Sequence, residues 1–259
     1  MPTILIIGAS RGLGSSLVRE YASRADHSVL ATVRGSPPSS DSSTAGVRYI
    51  PGIDLSSKDA AAHLVTALAA LDVTRVDVVL LVAGVFTKET LDAPDWDAEV
   101  AMYTIGCIAP VFLVTALSRA GVVGEGTKVV LITSEAGSVT LRHEMEGGEN
   151  YAHHGSKAAE NMVGRLLAMD LKHKGVAVVM VHPGFMRTEM TRGVGYDKYW
   201  DSGGAVEPSV AASHLADFVD KHVSMEISGE FWAPLGPKGI GTIDVTVGTD
   251  LPTPCRLPW

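Results

Sequence analysis

Cysteine is almost missing from this chain. Cys107 and Cys255 are the only two in 259 residues, too few for a disulfide framework, so the default compartment is reducing. Positive charge is scarce as well. Lys and Arg number 21 against 29 Asp and Glu, a net charge of −8; this argues against nucleic acid as a main partner, since phosphate backbones need a basic patch. No basic segment precedes an apolar run near the start, and Thr3 to Ile7 is too short for the core of a signal peptide. An unbroken run of membrane length is also lacking. Val100 to Leu117 comes nearest, but Tyr103, Thr104, Gly106, Pro110 and Thr115 interrupt it, so it reads as a helix in the core or against a second subunit. No internal repeat occurs. Together these absences predict a cytoplasmic protein with no membrane span and a small-molecule substrate.

Apolar residues are plentiful, at 46% of the chain, enough for the core of one α/β domain of this length. Strand-like runs fall at Thr3–Ile7, Ser28–Val33, Val47–Ile50, Val76–Val82, Val129–Ile132, Ala177–Val181 and Gly229–Ala233. Between them lie helical patterns after Gly14, over Ala60–Leu71, over Trp96–Arg119 in one or two pieces, from near His153 to His173, and over Pro208–His222. Such alternation predicts a single doubly wound domain over residues 1–259, a central parallel sheet flanked by helices. Residues 35–46, GSPPSSDSSTAG, read as a loop.

The first strand runs straight into Gly8-Ala-Ser-Arg-Gly-Leu-Gly14, and Leu13, Leu17, Val18 and Tyr21 follow at helical spacing. Strand, glycine turn and helix together make a dinucleotide site: glycines admit a pyrophosphate, and the helix N-terminus offers unpaired N–H groups. Further along, a buried strand ends at Thr133-Ser134, and His153 and Lys157 lie four apart on one helical face. These motifs resemble the short-chain dehydrogenase/reductase family. That resemblance spans nearly the whole chain and implies a Rossmann fold. Gly8, Ser10, Arg11, Gly12, Leu13 and Gly14 match its phosphate loop; Asp54-Leu55 matches its adenine contact. Ala83-Gly84 matches its close approach to the cofactor, Lys157 its ribose ligand, and Pro183-Gly184 with Thr188 its nicotinamide turn. Arg34 stands where NAD-binding relatives carry an acidic residue and suits a 2′-phosphate, with Arg11 as a second charge, so the expected cofactor is NADP(H). Asp54 also reads as a cap for a helix starting near Ser56. Residues 186–206, glycine-bearing and aromatic, read as a substrate lid, and the family's assembly implies a homodimer or homotetramer. The Tyr/Trp-bearing lid and closing Leu257-Pro-Trp259 resemble fungal members, many of them active in secondary metabolism.

The family's catalytic set is Asn, Ser, Tyr and Lys. Ser134 and Lys157 are present, the tyrosine position holds His153, and the asparagine position falls at Gly106 with no Asn anywhere from Leu80 to Leu141. Beside Lys157 and a nicotinamide cation His153 should be neutral at pH 7, a useful base and a poor acid. Tyr151 is the alternative acid, although six residues before Lys157 it lies off that face. Three functional readings stay open. The first is an oxidoreductase acting on a carbonyl, enone or iminium. The second is a non-redox isomerase or cyclase with His153 as base or the pocket as template, and the third a non-catalytic NADP(H)-binding protein. His143, Glu144, Glu146, Glu149, His153 and His154 lack the spacing of a metal motif and read as a solvated acidic loop. Cys107, on an apolar helix, reads as core.

Overall fold

The computed structural model describes residues 1–38 and 42–259. Residues 39–41, the middle of the expected loop 35–46, lie outside the described residues. Eight strands make one sheet: β1 (Thr3–Ile7), β2 (Ser28–Thr32), β3 (Arg48–Ile50), β4 (Val78–Leu81), β5 (Lys128–Ile132), β6 (Ala177–Val181), β7 (Phe231–Ala233) and β8 (Cys255–Arg256). Their order is β3-β2-β1-β4-β5-β6-β7-β8, with every pair parallel except β7 with β8. The inner strands are apolar throughout because both faces are covered. Helices α1 (Gly12–Ala22), α2 (Ala60–Ala70), α3 (Trp96–Tyr103), α4 (Ala109–Arg119), α5 (Tyr151–Leu171) and α7 (Pro208–Lys221), with the short α6 (Glu189–Gly193) and α8 (Ile243–Thr246), complete the fold. α1 and α7 cover one face, packing Leu17, Tyr21, Leu215 and Phe218 on Ile4, Ile6 and Val179. α2, α4 and α5 cover the other, with Leu64, Leu113 and Leu167 in the same core as Leu5, Val79 and Val129.

The strand order reverses at β1, whose neighbours are β2 and β4. A crevice opens there beyond the carboxyl ends of the strands, the usual ligand position in an open α/β sheet. Gly8 fits the tightest point of that crevice: its φ is +96°, and a Cβ on it would lie 2.6 Å from Ala83.

Departures from the sequence expectation are local. α5 begins at Tyr151, two residues before His153, because Glu89 reaches it from the loop after β4. The Glu89 carboxylate accepts the Ala152 N–H, and its backbone carbonyl accepts the Asn150 N–H at 3.0 Å. A carboxylate at a helix N-terminus stabilises the end charge as well as pairing a donor. Asp54 does not cap α2. It accepts from the Ser56 N–H at 3.0 Å and the Ser56 hydroxyl at 2.8 Å, closing a small turn, while α2 starts at Ala60. A π-helical turn, Thr104–Ile108, joins α3 to α4 just before Pro110. Proline has no N–H to continue the α-helical ladder, and a π turn absorbs the mismatch. The strand β8 and the short α6 and α8 carry too little pattern to be read from sequence.

Trp96–Arg119 is one continuous helical path of 24 residues that contains an 18-residue window of mean hydropathy 2.1, long and apolar enough to cross a membrane by length and composition alone. Its inner side, with Met102, Leu113, Val114 and Leu117, is buried in the domain. Its outer side exposes Val100, Ile108, Val111 and Phe112, and α5, on which α3 packs, exposes Met162, Leu166 and Met169.

Candidate active site

A cleft of about 1600 Å³ lies along the crevice, and every residue assigned to the cofactor from sequence lines it, from Gly8 through Arg34, Asp54, Gly84 and Lys157 to Thr188. The phosphate end is built for close approach. A Cβ at Gly14 would lie 2.1 Å from the Gly8 carbonyl oxygen, so only glycine lets α1 start this near β1. No side chain caps α1, and its first turn holds no acidic residue. Its N-terminal N–H groups therefore face the cleft as an anion site. Arg34, at the end of β2, lines the cleft in an exposed position beside Asp54, whose carboxyl it helps hold low after the two Ser56 bonds. Arg11 pairs with Glu189 at 3.2 Å, both well exposed, a contact weak enough to exchange for a phosphate.

The reacting end gathers Ser134, His153 and Lys157 on one cleft wall. Ser134 follows β5, and its Oγ accepts the Ala136 N–H at 3.1 Å, fixing its rotamer. Gly137 in the same turn lies against α5, where a Cβ would come within 2.5 Å of the Lys157 carbonyl carbon. Lys157 Nζ donates to the Ile132 carbonyl at 2.8 Å and to Glu160 Oε2 at 2.6 Å. His153 stacks on Phe86 with centroids 3.9 Å apart, and its Nδ1 is buried without a partner. Burial, then the Lys157 charge, pushes its pKa down to about 3. Tyr151 is a correction to the sequence reading. It opens α5, is 45% exposed and does not line the cleft, because two residues from His153 is a turn of ~200°. Gly106 is buried in the π turn, facing Ser156 and Glu160 behind the cleft.

Several cleft residues carried no sequence signal. Arg142 pairs with both Glu135 and Glu146. His154 Nδ1–H donates to the Asn150 carbonyl at 2.9 Å, which leaves Nε2 to accept from Arg142 at 3.3 Å. Of the segment read as a solvated acidic loop, Glu146, Glu149, His153 and His154 line the cleft, the two glutamates remaining exposed at its rim, while Glu144 is outside it. His182 accepts the Glu135 N–H on Nδ1 at 3.1 Å; its Nε2 is buried without a partner, and burial pushes its pKa down to about 3. The segment 186–206 is pinned at its ends by a bridge between Met186 and Val206, and Trp200 Nε1 donates to Thr191 at 3.2 Å. It turns Tyr196 and Tyr199 to the cleft, with Tyr196 edge-on to Phe86 at 5.8 Å.

Comparison with known proteins agrees with this geometry. The family model described as short chain dehydrogenase matches residues 2–198. The 1-hydroxy-2-glutathionyl-2-methyl-3-butene dehydrogenase of Rhodococcus sp. (strain AD45) is 31% identical over 232 residues, covering 89% of this chain and 96% of its own. The short chain dehydrogenase gsfK of Penicillium aethiopicum is 29% identical over 249 residues, covering 88% and 95%. Among solved structures, the NADPH-bound carbonyl reductase from chicken fatty liver superposes with a TM-score of 0.74 at 21% identity, covering 90% of this chain and 96% of that one. At that identity the likeness speaks for the fold.

The two buried imidazoles give the site an acid sensitivity of definite sign. Both are held near 3 against an ordinary 6.5, so below pH 6.5 the unfolded chain binds protons the folded chain refuses. Stability therefore falls as pH falls from 6.5 toward 3, by about 2 kcal/mol per imidazole at pH 5. Glu160, raised from 4.5 to about 7, works in the opposite sense between those values and offsets part of it. In His153→Phe, which keeps a ring against Phe86, the loss of unfolding free energy between pH 7 and pH 5 should shrink by about 2 kcal/mol in urea titrations. An unchanged loss would mean that His153 is not held neutral.

Proposed function

The chain belongs to the short-chain dehydrogenase family, and from that premise we propose that it is an NADP(H)-dependent oxidoreductase whose substrate is a small electrophile needing little help from a protein acid. One observation carries this reading: Ser134 and Lys157 share a cleft with the glycine loop and Arg34, while the place of the family's tyrosine is filled by a neutral imidazole stacked on Phe86. Bound NADPH would supply a hydride. The α1 N-terminus and Arg11 would hold its phosphates, Arg34 its 2′-phosphate, Lys157 its ribose, and Thr188 its carboxamide. The NADPH in the chicken carbonyl reductase supports that choice, as does the alcohol named in the Rhodococcus dehydrogenase for a carbonyl–alcohol interconversion.

The substrate end has aromatic walls in Phe86, Phe185, Tyr196 and Tyr199, which suit a flat, largely apolar molecule such as an enone, an activated ketone or an iminium of secondary metabolism. Ser134 would hold the reacting oxygen. The alternative in which His153 works as a base without redox chemistry loses support, because an imidazole held near 3 takes up almost no proton at neutral pH. Free Cys107 and Cys255 fit a reducing, cytoplasmic setting. The apolar side chains exposed along the outer face of α3, α4 and α5 suit a second copy of the chain in a homodimer or homotetramer.

NADPH should bind at least tenfold tighter than NADH, since one charge-assisted bond contributes ~1.5–3 kcal/mol. Arg34→Asp should erase the difference, and equal affinities of the unmodified protein in calorimetry would sink the assignment. Putting back the acid tests the electrophile reading: His153→Tyr should reduce an activated ketone faster than the parent, by ~10²-fold. Mass spectrometry showing products isomeric with substrate and independent of NADPH would favour non-redox chemistry instead. Light scattering at micromolar concentration should give a multiple of 27.2 kDa; a monomer mass would leave the apolar face unexplained.

A further inference from the structure

The segment 186–206 brings a phenol to the cleft, and a residue from the start of α5 sets its hydrogen bonding. Tyr196 lines the cleft and is only half-buried, its ring edge-on to Phe86 at 5.8 Å and to Tyr199 at 6.2 Å. Its N–H donates to the Thr191 carbonyl at 2.8 Å, and its carbonyl accepts the Tyr199 N–H at 3.0 Å. The hydroxyl oxygen accepts from Asn150 Nδ2 at 3.0 Å. A phenol whose oxygen is accepting keeps its O–H to give, and among the described residues no acceptor takes it. Asn150 itself is 4% exposed and left-handed, with φ +53°. Asparagine tolerates that backbone better than most residues, which accounts for its place in the turn but not for an amide buried against the segment 186–206. Its N–H donates to the Glu89 carbonyl at 3.0 Å, and its carbonyl accepts the His154 Nδ1–H at 2.9 Å. With both backbone groups pinned, the amide reaches Tyr196 from a fixed base. Resting on the reading of this end of the cleft as the substrate site, we propose that the Tyr196 hydroxyl, oriented by Asn150, is a specificity-determining donor to an uncharged oxygen of the substrate, a carbonyl or an ether on a flat ring system.

The donor carries no charge. Burial raises the Tyr196 pKa above its ordinary value, so the group stays a phenol at neutral pH. A neutral donor in a partly dry pocket suits a neutral acceptor, because the bond offsets the cost of burying the oxygen and no charge leaves water. Phe86 and Tyr199, on which the phenol rests, supply the flat apolar surface around it. A site built to hydrogen-bond a substrate group rejects the analogue lacking that group more sharply than an apolar wall can. Ser134 follows β5 and Tyr196 belongs to the segment after β6, so the two hydroxyls can be removed separately.

9-Fluorenone and fluorene, flat molecules that differ by one carbonyl oxygen, test this by equilibrium dialysis with the NADP⁺-loaded protein. Ser134→Ala is the background, because it removes the donor already assigned to the reacting oxygen. In that background fluorenone should bind about tenfold tighter than fluorene. Adding Tyr196→Phe keeps the ring on Phe86 and Tyr199 and should erase the preference by weakening fluorenone alone. Adding Asn150→Gly instead leaves the left-handed backbone available. It should cut the preference by roughly threefold with fluorene binding unchanged, whereas a merely structural Asn150 would weaken both ligands alike. No preference in Ser134→Ala, or a preference that survives Tyr196→Phe, overturns the proposal. Equal weakening of both ligands by Asn150→Gly overturns its orienting part. Dialysis needs no turnover, so a chain that reduced nothing would count against the oxidoreductase reading while the ligand preference still decided what Tyr196 does.

Discussion

The ammonium of Lys157 is the contact on which the site depends. It ties the carboxyl end of β5, through the Ile132 carbonyl, to the middle of α5, through Glu160. Around that tie the chain is packed without slack, because Gly137 brings the turn after β5 against the α5 backbone and Gly155 lets the Tyr103 side chain of α3 lie on α5. A Cβ at Gly155 would fall 2.2 Å from the Tyr103 hydroxyl. Close packing of this kind resists small displacements, so Ser134 and Lys157 face the cleft in a fixed relation. The far end of the same tie is Glu89, which fixes where α5 begins and therefore which residue stands one turn before Lys157.

Dry surroundings then decide what each group can do. The same loss of water that holds His153 and His182 near 3 raises Glu160 to about 7 and also raises Glu135. Desolvation always favours the neutral form, so it moves bases down and acids up. Cations nearby push further in the same direction for the imidazoles: Lys157 on His153, Arg142 on His182. For the carboxyls they pull back. The outcome is a cleft whose buried imidazoles carry no charge, while the desolvated carboxyls Glu135 and Glu160 are each matched to a cation.

Most of the frame was legible in the chain's own residues. The apolar run of β6 and the start of β1 were placed to the residue, because fully buried parallel strands have sharp apolar edges. The cofactor end was legible too, since its glycines and Arg34 are contiguous in sequence with a strand and a helix. Much of what stayed hidden shares one property: its partners are distant along the chain. Glu89 acts on Ala152, and Tyr196 on Phe86 and Asn150. Glu160 is the instructive exception. At i+3 from Lys157 it was in plain view as a helix-face pair, but nothing local said that the face would be buried, and an exposed pair of this kind does almost nothing.

Burial also explains why the substitution at position 153 changes more than one residue's chemistry. A tyrosine phenol beside an ammonium has its pKa lowered toward neutrality and serves as the acid, so the lysine need only stay charged. An imidazole in the same place is pushed the wrong way by that same ammonium, and stacking on Phe86 removes the water that would have opposed it. What this wall still presents to the cleft is the Ser134 hydroxyl, a neutral imidazole and the Lys157 ammonium that Ile132 and Glu160 hold in place, a set that can orient a substrate but has no phenol for the ammonium to acidify.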